Sequence, residues 1–335
     1  MAKRKDLSGF VKKLVAVIVL LVVVIAALAI YIVYPYFQLA VNGQPYGSRL
    51  TGIDSPLTSS QLSVINNASN NDYENAASML LNGSIPGEQV SGNSFTGPLF
   101  QVSLAHPGQA NALVINGKPS VVYIGAISCI YCGENRWAMA LALSRFGSFN
   151  SLYTGYSSFG DGDLPTLYWV PQNYTTAGLV NFGNDYHSQY INYFSAEWDS
   201  PITEGFQLPS STDPIQLFVA NATNSSYNQA MQFMNDTHDF QGTPFTFWGT
   251  SINAGADAVV LGNGTSQTAI SNNLPLTYMS HQQIYDLLQK DNSTFAYEEY
   301  AAADVYIAEV CASINNAAPI CSMPAIATFE SRMGL

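Results

Sequence analysis

An unbroken run of apolar and aromatic residues covers positions 14–34 of this chain, and no charged residue follows it before Arg49. A run of about 20 such residues is long enough to cross the hydrocarbon core of a membrane as a helix. Five basic residues lie within the first 13 positions, which predicts a cytoplasmic N-terminus. We therefore predict a cytoplasmic basic tail at 1–13, a transmembrane anchor at 14–37 and an extracytoplasmic body.

A cleaved signal peptide is the alternative for this run, because Ala27-Leu28-Ala29 has the small-x-small form of a cleavage site. The run is longer than the usual apolar core of about 7 to 15 residues in a signal peptide, which favours the uncleaved anchor. Under both interpretations the body is exported, and its four cysteines meet an oxidising compartment.

Beyond the anchor, residues 38–110 are rich in Gly, Asn, Ser and Pro, which predicts an irregular stalk with one short helix near Tyr73–Leu81. The pattern becomes regular at Ala112–Asn116, a short predicted strand. Ser120–Ala126 is a continuous apolar run of the kind found in the centre of a sheet. We therefore place the folded domain at 111–335.

Apolar residues at helical spacing follow this strand from Cys132 to Phe146, and Gly147 is a suitable helix end. The alternation of strand and helix patterns predicts an α/β domain. The further predicted elements are strands at Ser151–Ser157 and Pro165–Val170, a helix near Tyr227–Asn235, a hairpin of Pro244–Trp248 with Ala256–Leu261, and helices at His281–Lys290 and Ala296–Ser313.

The charge of the chain is distributed unevenly, because only six basic residues but 22 acidic residues follow position 13. A surface of this sign repels phosphate backbones, so we exclude a nucleic-acid partner. Charged residues make up only 10% of the chain, which fits either an acidic exterior or a glycosylated surface domain. Glycosylation sequons occur at Asn67, Asn82, Asn173, Asn221, Asn224, Asn235, Asn263 and Asn292.

The candidate chemistry lies at Cys129-Ile130-Tyr131-Cys132, where the predicted buried strand meets the helix. The unpaired N–H groups and the dipole of a helix N-terminus favour an anion, so we expect the pKa of Cys129 to fall below its usual value of about 8.5. Cys129 would then attack as a thiolate, and Cys132 would resolve the mixed disulfide. A C-x-x-C pair also occurs in zinc sites and inert disulfides, and the pair alone leaves these alternatives open.

The segment Gln241-Gly242-Thr243-Pro244-Phe245 resembles the hairpin of thioredoxin-like proteins, in which a cis-proline faces the C-x-x-C pair. The order strand, C-x-x-C, helix, Thr-Pro hairpin and terminal helix resembles a thioredoxin-like fold spanning about 112–290. This resemblance implies that Thr243 and Pro244 belong to the site with Cys129 and Cys132. The long interval between Cys132 and Pro244 implies an insertion at about 150–240, between the C-x-x-C helix and the cis-Pro hairpin.

A closer resemblance is to an archaeal, membrane-anchored family known as domain of unknown function 929. It covers most of the chain after residue 110 and implies a fold and a membrane topology but no established activity. Ile130 stands where a C-P-Y-C form would carry proline, which leaves the redox potential of the pair unpredicted. The segments that carry the resemblance are Tyr123–Ala126, Cys129–Cys132, Arg136–Ala138, Ser144–Gly147, Gly242–Phe245 and Cys311 to Cys321.

Cys311 and Cys321 enclose a short loop after the last long helix, and in an exported chain we expect them to form a structural disulfide. A second redox pair that passes electrons to Cys129 is the alternative. The cysteines and the four histidines fit no standard zinc-site spacing, so we expect neither a metal nor another cofactor.

Arg136 lies two helical turns after Cys129, so we expect it to be exposed or paired with Glu134 or an aspartate. Support of the Cys129 thiolate by its positive charge is the alternative. If Glu134 lies close to Cys129, its charge would oppose a low thiol pKa. The bulky side chains expected in the core are Trp137, Trp169 and Trp248.

Together these patterns predict a membrane-anchored, extracytoplasmic thiol-disulfide oxidoreductase that acts on protein thiols or disulfides. The alternative is a cell-surface thioredoxin-like structural or binding module whose Cys129–Cys132 disulfide stays permanently closed. An acidic exterior favours this alternative, because a thiolate becomes scarce and exchange slows as the pH falls.

Overall fold

The body of the chain is a mixed α/β domain, as the alternating patterns predict. The computed structural model describes residues 15–22, 24–25, 55–82, 89–91, 94–96, 100–103, 108–109, 113–127, 129–156, 164–171, 180–198, 214–237, 245–248, 251–254, 260–261, 280–290 and 293–335. The helices are α1 (Ser59–Asn66), α2 (Asn70–Leu81), α3 (Ile130–Ser144), α4 (Pro214–Asn221), α5 (Ser225–Thr237), α6 (His281–Leu288), α7 (Thr294–Ser313) and α8 (Pro324–Met333), with a short 3₁₀ helix at Pro319–Ser322. The strands are β1 (Gln89–Ser91), β2 (Ser94–Thr96), β3 (Phe100–Ser103), β4 (Gly108–Gln109), β5 (Val114–Ile115), β6 (Lys118–Ala126), β7 (Gly147–Ser151), β8 (Tyr153–Tyr156), β9 (Pro165–Tyr168), β10 (Val180–Phe182), β11 (Asp185–Ser188), β12 (Asn192–Trp198), β13 (Phe245–Trp248), β14 (Ser251–Ala254) and β15 (Val260–Leu261).

The predicted anchor at 14–37 lies mostly outside the described residues. Its described parts, 15–22 and 24–25, are helical, and their side chains are exposed. Within the described ranges, no helix combines the length and the apolar character needed to cross a bilayer.

Strand β6 lies at the centre of the largest sheet, which contains seven of the described strands. On one side β12 runs parallel to it, from Asn192 opposite Ser120 to Trp198 opposite Ala126. On the other side β13 runs antiparallel, with Phe245 opposite Ile124, and β14 and β4 extend the sheet. The apolar run of β6 is buried throughout, as predicted for a central strand, because α3 packs on one face of the sheet and α4 and α5 pack on the other.

A tight turn at Asn116-Gly117 connects β5 to β6. Both turn residues have positive φ angles, 52° and 78°, which a two-residue hairpin of the primed type requires and which Asn and Gly tolerate best. The turn sets the register of β5 against β6, in which Val114 lies opposite Pro119 and Ile115 lies opposite Lys118.

Between α3 and β12 the chain forms two small antiparallel sheets, in which β7 pairs with β11 and β8 pairs with β9. Helices α4 and α5 follow β12 and pack on the opposite face of the main sheet from α3, where Phe218, Met231 and Met234 join Phe245 in a second apolar cluster. The interval predicted as an insertion therefore contributes both the parallel neighbour of β6 and these small sheets.

Residues 55–82 of the predicted stalk at 38–110 form α1 and α2. The short helix predicted near Tyr73–Leu81 is therefore confirmed within α2, whereas the irregular structure predicted for the residues of α1 is wrong. Tyr73, Ala76 and Leu80 of α2 are fully buried against the main core, and the Tyr73 hydroxyl donates to the Leu141 carbonyl at 3.0 Å. The apolar face of this helix spans only three turns between polar segments, so its pattern was too short to indicate membership of the core.

The hairpin prediction is correct for its first strand and wrong for its second. Strand β13 pairs with Ser251–Ala254, whereas Val260–Leu261 pairs with β3. Because β14 begins only three positions after β13 ends, the apolar run at Ala256–Leu261 comes too late in the sequence to be the hairpin partner.

Candidate functional site

Cys129 and Cys132 lie where the buried centre of the sheet turns into helix α3. Cys129 is the N-cap residue, in extended conformation with φ −70° and ψ 125°, and its carbonyl accepts the Gly133 N–H at 3.0 Å. Its own N–H donates to the Ala126 carbonyl at 3.3 Å, which ties it to the last residue of β6. The prediction that Cys129 begins a helix just after a central strand is therefore confirmed.

The two cysteines differ in exposure, since the Cys129 side chain is partly exposed and Cys132 is fully buried. Their sulfurs are not bonded to each other, but they are close enough for a hydrogen bond between the side chains. The Cys132 Sγ also accepts the Ala126 N–H at 3.4 Å. Burial raises the pKa of the Cys132 thiol well above its ordinary value, and the hydrogen bond to Cys129 raises it further.

Arg136 is fully buried, so the expectation of an exposed side chain or a pair with Glu134 or an aspartate is wrong. Its Nε donates to Oε1 of Glu197 on β12 at 2.8 Å, and its Nη2 donates to the Ala126 carbonyl at 3.2 Å. The guanidinium lies 5.5 Å from the centre of the Tyr168 ring. Because its positive charge opposes the rise in the pKa of Cys132, this residue favours ionisation of the buried thiol.

Sequence reasoning missed Glu197, the partner of Arg136. The two residues are 61 positions apart and meet only because β12 lies beside β6 and α3 packs across the sheet. One signal was available, because Glu197 is the only charged residue in the segment Asn192–Trp198, which is rich in aromatic residues. A lone charge in such a strand is rarely buried without a partner.

Tyr123 on β6 also lies close to the buried cysteine. Its ring lies over Gly125, where any side chain would collide with the Tyr123 ring and hydroxyl. Burial raises the pKa of Tyr123 well above its ordinary value and the charge of Cys132 adds to the rise, so the phenol stays neutral. Within the described residues its buried hydroxyl has no hydrogen-bond partner.

Acidic side chains lie on the other side of the cysteine helix. Glu134, two residues after Cys132, is only 4% exposed and faces Glu298 and Glu299 of α7, which are equally buried. Burial raises the pKa of Glu134 well above its ordinary value, and the charges of Glu299, Cys129 and Glu298 raise it further. Glu134 and Cys129 therefore interact, and an ionised Glu134 would oppose a low pKa of the Cys129 thiol.

Thr243 and Pro244, the other two predicted site residues, lie outside the described residues. The described part of their hairpin begins at Phe245, which pairs with Ile124 two residues before the end of β6. No peptide geometry is described for the Thr243-Pro244 bond, so the predicted cis-proline stays a prediction.

Cys311 and Cys321 form a disulfide with a Cα–Cα distance of 5.5 Å that joins the end of α7 to the 3₁₀ helix. Both residues are buried in the main core, as expected for a structural disulfide. The described residues contain no group of three or more His, Cys, Asp or Glu side chains that could hold a metal ion. The three tryptophans predicted in the core, Trp137, Trp169 and Trp248, are each at most 1% exposed.

Comparison with known proteins gives one match. The model of a family described as Domain of unknown function (DUF929) matches residues 109–294, which include β6, the cysteine pair, α3 and the β13–β14 hairpin. No curated protein matches the chain, and no solved structure matches it.

Proposed function

The chain belongs to the family of domain of unknown function 929, and from the geometry of its cysteine pair we propose that it is an extracytoplasmic thiol-disulfide oxidoreductase anchored to the membrane by its N-terminal segment. One observation carries the proposal. A partly exposed cysteine caps a helix at the end of a central strand, and a buried cysteine one turn later contacts it without being bonded to it. This arrangement gives the two sulfurs the different exposures that attack and resolution require.

The topology of the sheet supports a thioredoxin-like fold for the domain. A strand leads into the C-x-x-C helix, its parallel neighbour follows after a crossover, and an antiparallel hairpin flanks the first strand on its other edge. The helices α6 and α7 close the chain after the hairpin. This is the order of elements on which the resemblance to thioredoxin-like proteins rests.

The proposed substrate class is a protein or peptide thiol or disulfide. When the pair is reduced, Cys129 attacks a substrate disulfide and Cys132 resolves the mixed disulfide. When the pair is oxidised, a substrate thiolate attacks Cys129, Cys132 leaves with the bond's electrons, and a second substrate thiol releases the oxidised substrate from Cys129. Because Cys132 is fully buried, a substrate sulfur reaches Cys129 alone. The buried guanidinium of Arg136 then assists Cys132 in losing its proton when it attacks the mixed disulfide.

One observation favours the alternative of a binding or structural module. The negative charges of Glu134 and a Cys129 thiolate disfavour each other in a buried setting, which opposes the reactive form of the cysteine. In that alternative the Cys129–Cys132 bond stays closed and only stabilises the helix start.

Alkylation after mild reduction separates the two functions. The full chain in detergent is treated with a dithiol and then with an alkylating reagent, and modification at each cysteine is measured by mass spectrometry. The oxidoreductase predicts fast modification of Cys129, slow modification of Cys132 and none at the Cys311–Cys321 disulfide, which is the internal control.

Trapping variants provide the second half of the test. Cys129→Ser should abolish exchange with a peptide disulfide, whereas Cys132→Ser should accumulate a mixed disulfide with it, because the resolving sulfur is missing. If Cys129–Cys132 resists the dithiol as Cys311–Cys321 does, and Cys132→Ser retains no peptide, the oxidoreductase proposal fails and the structural module stands.

A further inference from the structure

A cleft of about 360 Å³ opens between the helices α2, α6 and α7. Asp72 and Asn75 of α2 form one wall, residues 288–290 at the end of α6 form a second, and three residues in the first two turns of α7 form the third. The volume lies within the range of about 300–1,000 Å³ that small-molecule sites occupy. We call this site the α2–α7 cleft, and none of its lining residues belongs to the cysteine site.

The floor of the α2–α7 cleft is apolar and its rim is polar. Leu288, Ala296 and Tyr300 line the cleft and are buried, so they form its floor. Asn75 and Gln289 also line it but are exposed, so they form part of its rim. A ligand that fits this cleft therefore has an apolar face together with several hydrogen-bonding groups.

Two tyrosines of α7 give the cleft an aromatic surface. Tyr297 and Tyr300 are three positions apart, so they lie on the same face of the helix. The Tyr300 ring is held edge-on against Tyr73 of α2 with the ring centres 4.9 Å apart, and Tyr297 is partly exposed. The C–H face of a pyranose ring packs on an exposed aromatic ring through dispersion and burial of apolar surface.

The polar side chains of the rim suit the hydroxyl groups of a sugar. Asn75 and Gln289 each carry amide donors and an acceptor oxygen, and Asp72 carries two acceptor oxygens. Each sugar hydroxyl both donates and accepts, so neighbouring hydroxyls pair with such planar groups. Among the described residues that line the cleft, Asp72 and Lys290 carry the only charges, and these are opposite in sign. A neutral ligand therefore fits better than an anion or a cation.

An amino acid is the other small ligand for a cleft with one acidic and one basic side chain. Its ammonium group needs the full charge of a carboxylate, but Oδ2 of Asp72 already accepts the Ser69 N–H at 3.2 Å in the capping box of α2. A sugar hydroxyl needs only one of the roughly four lone pairs of a carboxylate. The state of Asp72 therefore favours a sugar over an amino acid.

We propose that the α2–α7 cleft binds one sugar residue, with the Tyr297 ring against its C–H face and Asp72 and Asn75 bonded to its hydroxyls. The walls are held in place before a ligand arrives, since Gln289 Nε2 donates to the Tyr285 carbonyl at 3.2 Å. The inference adds a binding site to the proposed function and does not depend on the cysteines.

The sugar has two sources, a saccharide from outside the chain or a glycan that the chain itself carries. The second source follows from the sequence, because a glycosylation sequon begins at Asn292, two positions after the cleft residue Lys290. The chemistry of the cleft is the same for both sources.

Saturation-transfer NMR on the full chain tests the proposal. The chain is produced in bacteria that attach no N-glycans and is kept in a detergent without a sugar headgroup. Glucose, galactose, mannose and N-acetylglucosamine are then added in turn, and at least one should receive saturation on its ring C–H protons. Tyr297→Ala should weaken this binding about tenfold, because the apolar contact is lost, whereas Tyr297→Phe should retain it.

Two further variants make the result specific. Tyr190→Ala is the matched control, because Tyr190 is also a partly exposed tyrosine packed on the main core but does not line the cleft, and it should bind as wild type. Asn75→Ala should weaken binding severalfold and still fold, because Asn75 is exposed on α2 and Ala favours a helix. If Tyr297→Ala does not fold, Asn75→Ala decides.

The outcomes that overturn the inference are distinct from failure of the proposed function. The inference is wrong if none of the four sugars binds, or if Asn75→Ala and Tyr297→Ala bind them as wild type does. Binding of free glutamate or lysine in the cleft, in place of the sugars, would make it an amino-acid site instead. Cys129→Ser should bind sugar as wild type does, whatever the outcome for thiol exchange.

A glycosylated chain identifies the source of the sugar. If the glycan at Asn292 fills the cleft, the chain from a host that attaches N-glycans should not bind added sugar, and Asn292→Gln should restore binding. If the glycosylated chain binds added sugar as the bare chain does, the ligand is a saccharide from outside the chain.

Discussion

Arg136 and Glu197 form a buried ion pair in which two guanidinium nitrogens contact the same carboxylate oxygen, at 2.8 and 2.5 Å. Their side chains are 0% and 3% exposed. The pair joins the helix that carries the cysteines to the strand that runs parallel to β6, and it places a fixed positive charge near Cys132. The position of the cysteine helix on the sheet therefore depends on an electrostatic contact as well as on apolar packing.

We expect Arg136→Met to destabilise the domain by about 3–5 kcal/mol, because it leaves the Glu197 carboxylate buried without its partner. The double variant Arg136→Met with Glu197→Met should recover much of this loss, since no unpaired charge remains. Urea unfolding followed by circular dichroism gives the free energies. Equal destabilisation in the single and double variants would show that packing, and not charge, is responsible.

The folded state should become less stable as the pH rises from mildly acidic to alkaline. Burial raises the pKa values of Glu134, Glu299 and Asp304 well above their ordinary values. A raised pKa in the folded state contributes stability below the unfolded pKa of about 4, and that contribution is lost as the pH rises through the folded value. Thermal midpoints measured across this range should fall with pH, and Asp304→Asn should reduce the slope.

His281 should instead make the folded state less stable as the pH falls. Its Nε2 contacts the carbonyls of Gly155 and Thr166 at 2.7 and 2.9 Å, and burial lowers its pKa to about 4. The stability that neutral His281 contributes is present above its unfolded pKa of about 6.5 and is lost as the pH falls toward 4. The difference in thermal midpoint between wild type and His281→Gln should therefore shrink on acidification, and a constant difference would contradict this assignment.

How much could be predicted from the sequence depended on the length and regularity of each pattern. Strand β6 and helix α3 were recognisable because a long apolar run and a helical repeat meet at Cys129. Helix α2 was underestimated, because its contact with the core depends on α7, whose sequence lies more than 200 residues later. The positions of Glu197 and Glu299 beside α3 could not be predicted from sequence spacing, since each residue belongs to a distant element that tertiary packing brings to this helix.

Removal of the Cys311–Cys321 disulfide should affect stability without affecting the proposed exchange. The bond closes a loop with a sequence separation of 10, for which the chain-entropy model gives about 2–3 kcal/mol. The double variant Cys311→Ser with Cys321→Ser should unfold at lower urea concentration but show the wild-type rate of Cys129 alkylation. A large fall in that rate would contradict a purely structural role, because it would show that the disulfide also maintains the surroundings of Cys129.

The N-terminal segment should hold the body at the outer face of the membrane. A protease added to intact cells should degrade the body and leave a membrane-bound fragment that contains residues 14–34, detected by mass spectrometry. A soluble mature protein that begins just after Ala29 would show that the segment is a cleaved signal peptide instead.

The elements that cover the cysteine pair follow it in the sequence, so they are synthesised after it. Cys129 and Cys132 are made before β12, β13 and α7, so in an exported chain they reach an oxidising compartment while nothing covers them. Two cysteines three positions apart meet far sooner than either can meet Cys311, which is synthesised about 180 residues later. Early formation of a disulfide between Cys129 and Cys132 would prevent either sulfur from forming a non-native disulfide with Cys311 or Cys321. If the chain is exported as it is synthesised, the spacing of the four cysteines would therefore favour pairing of Cys129 with Cys132 and of Cys311 with Cys321.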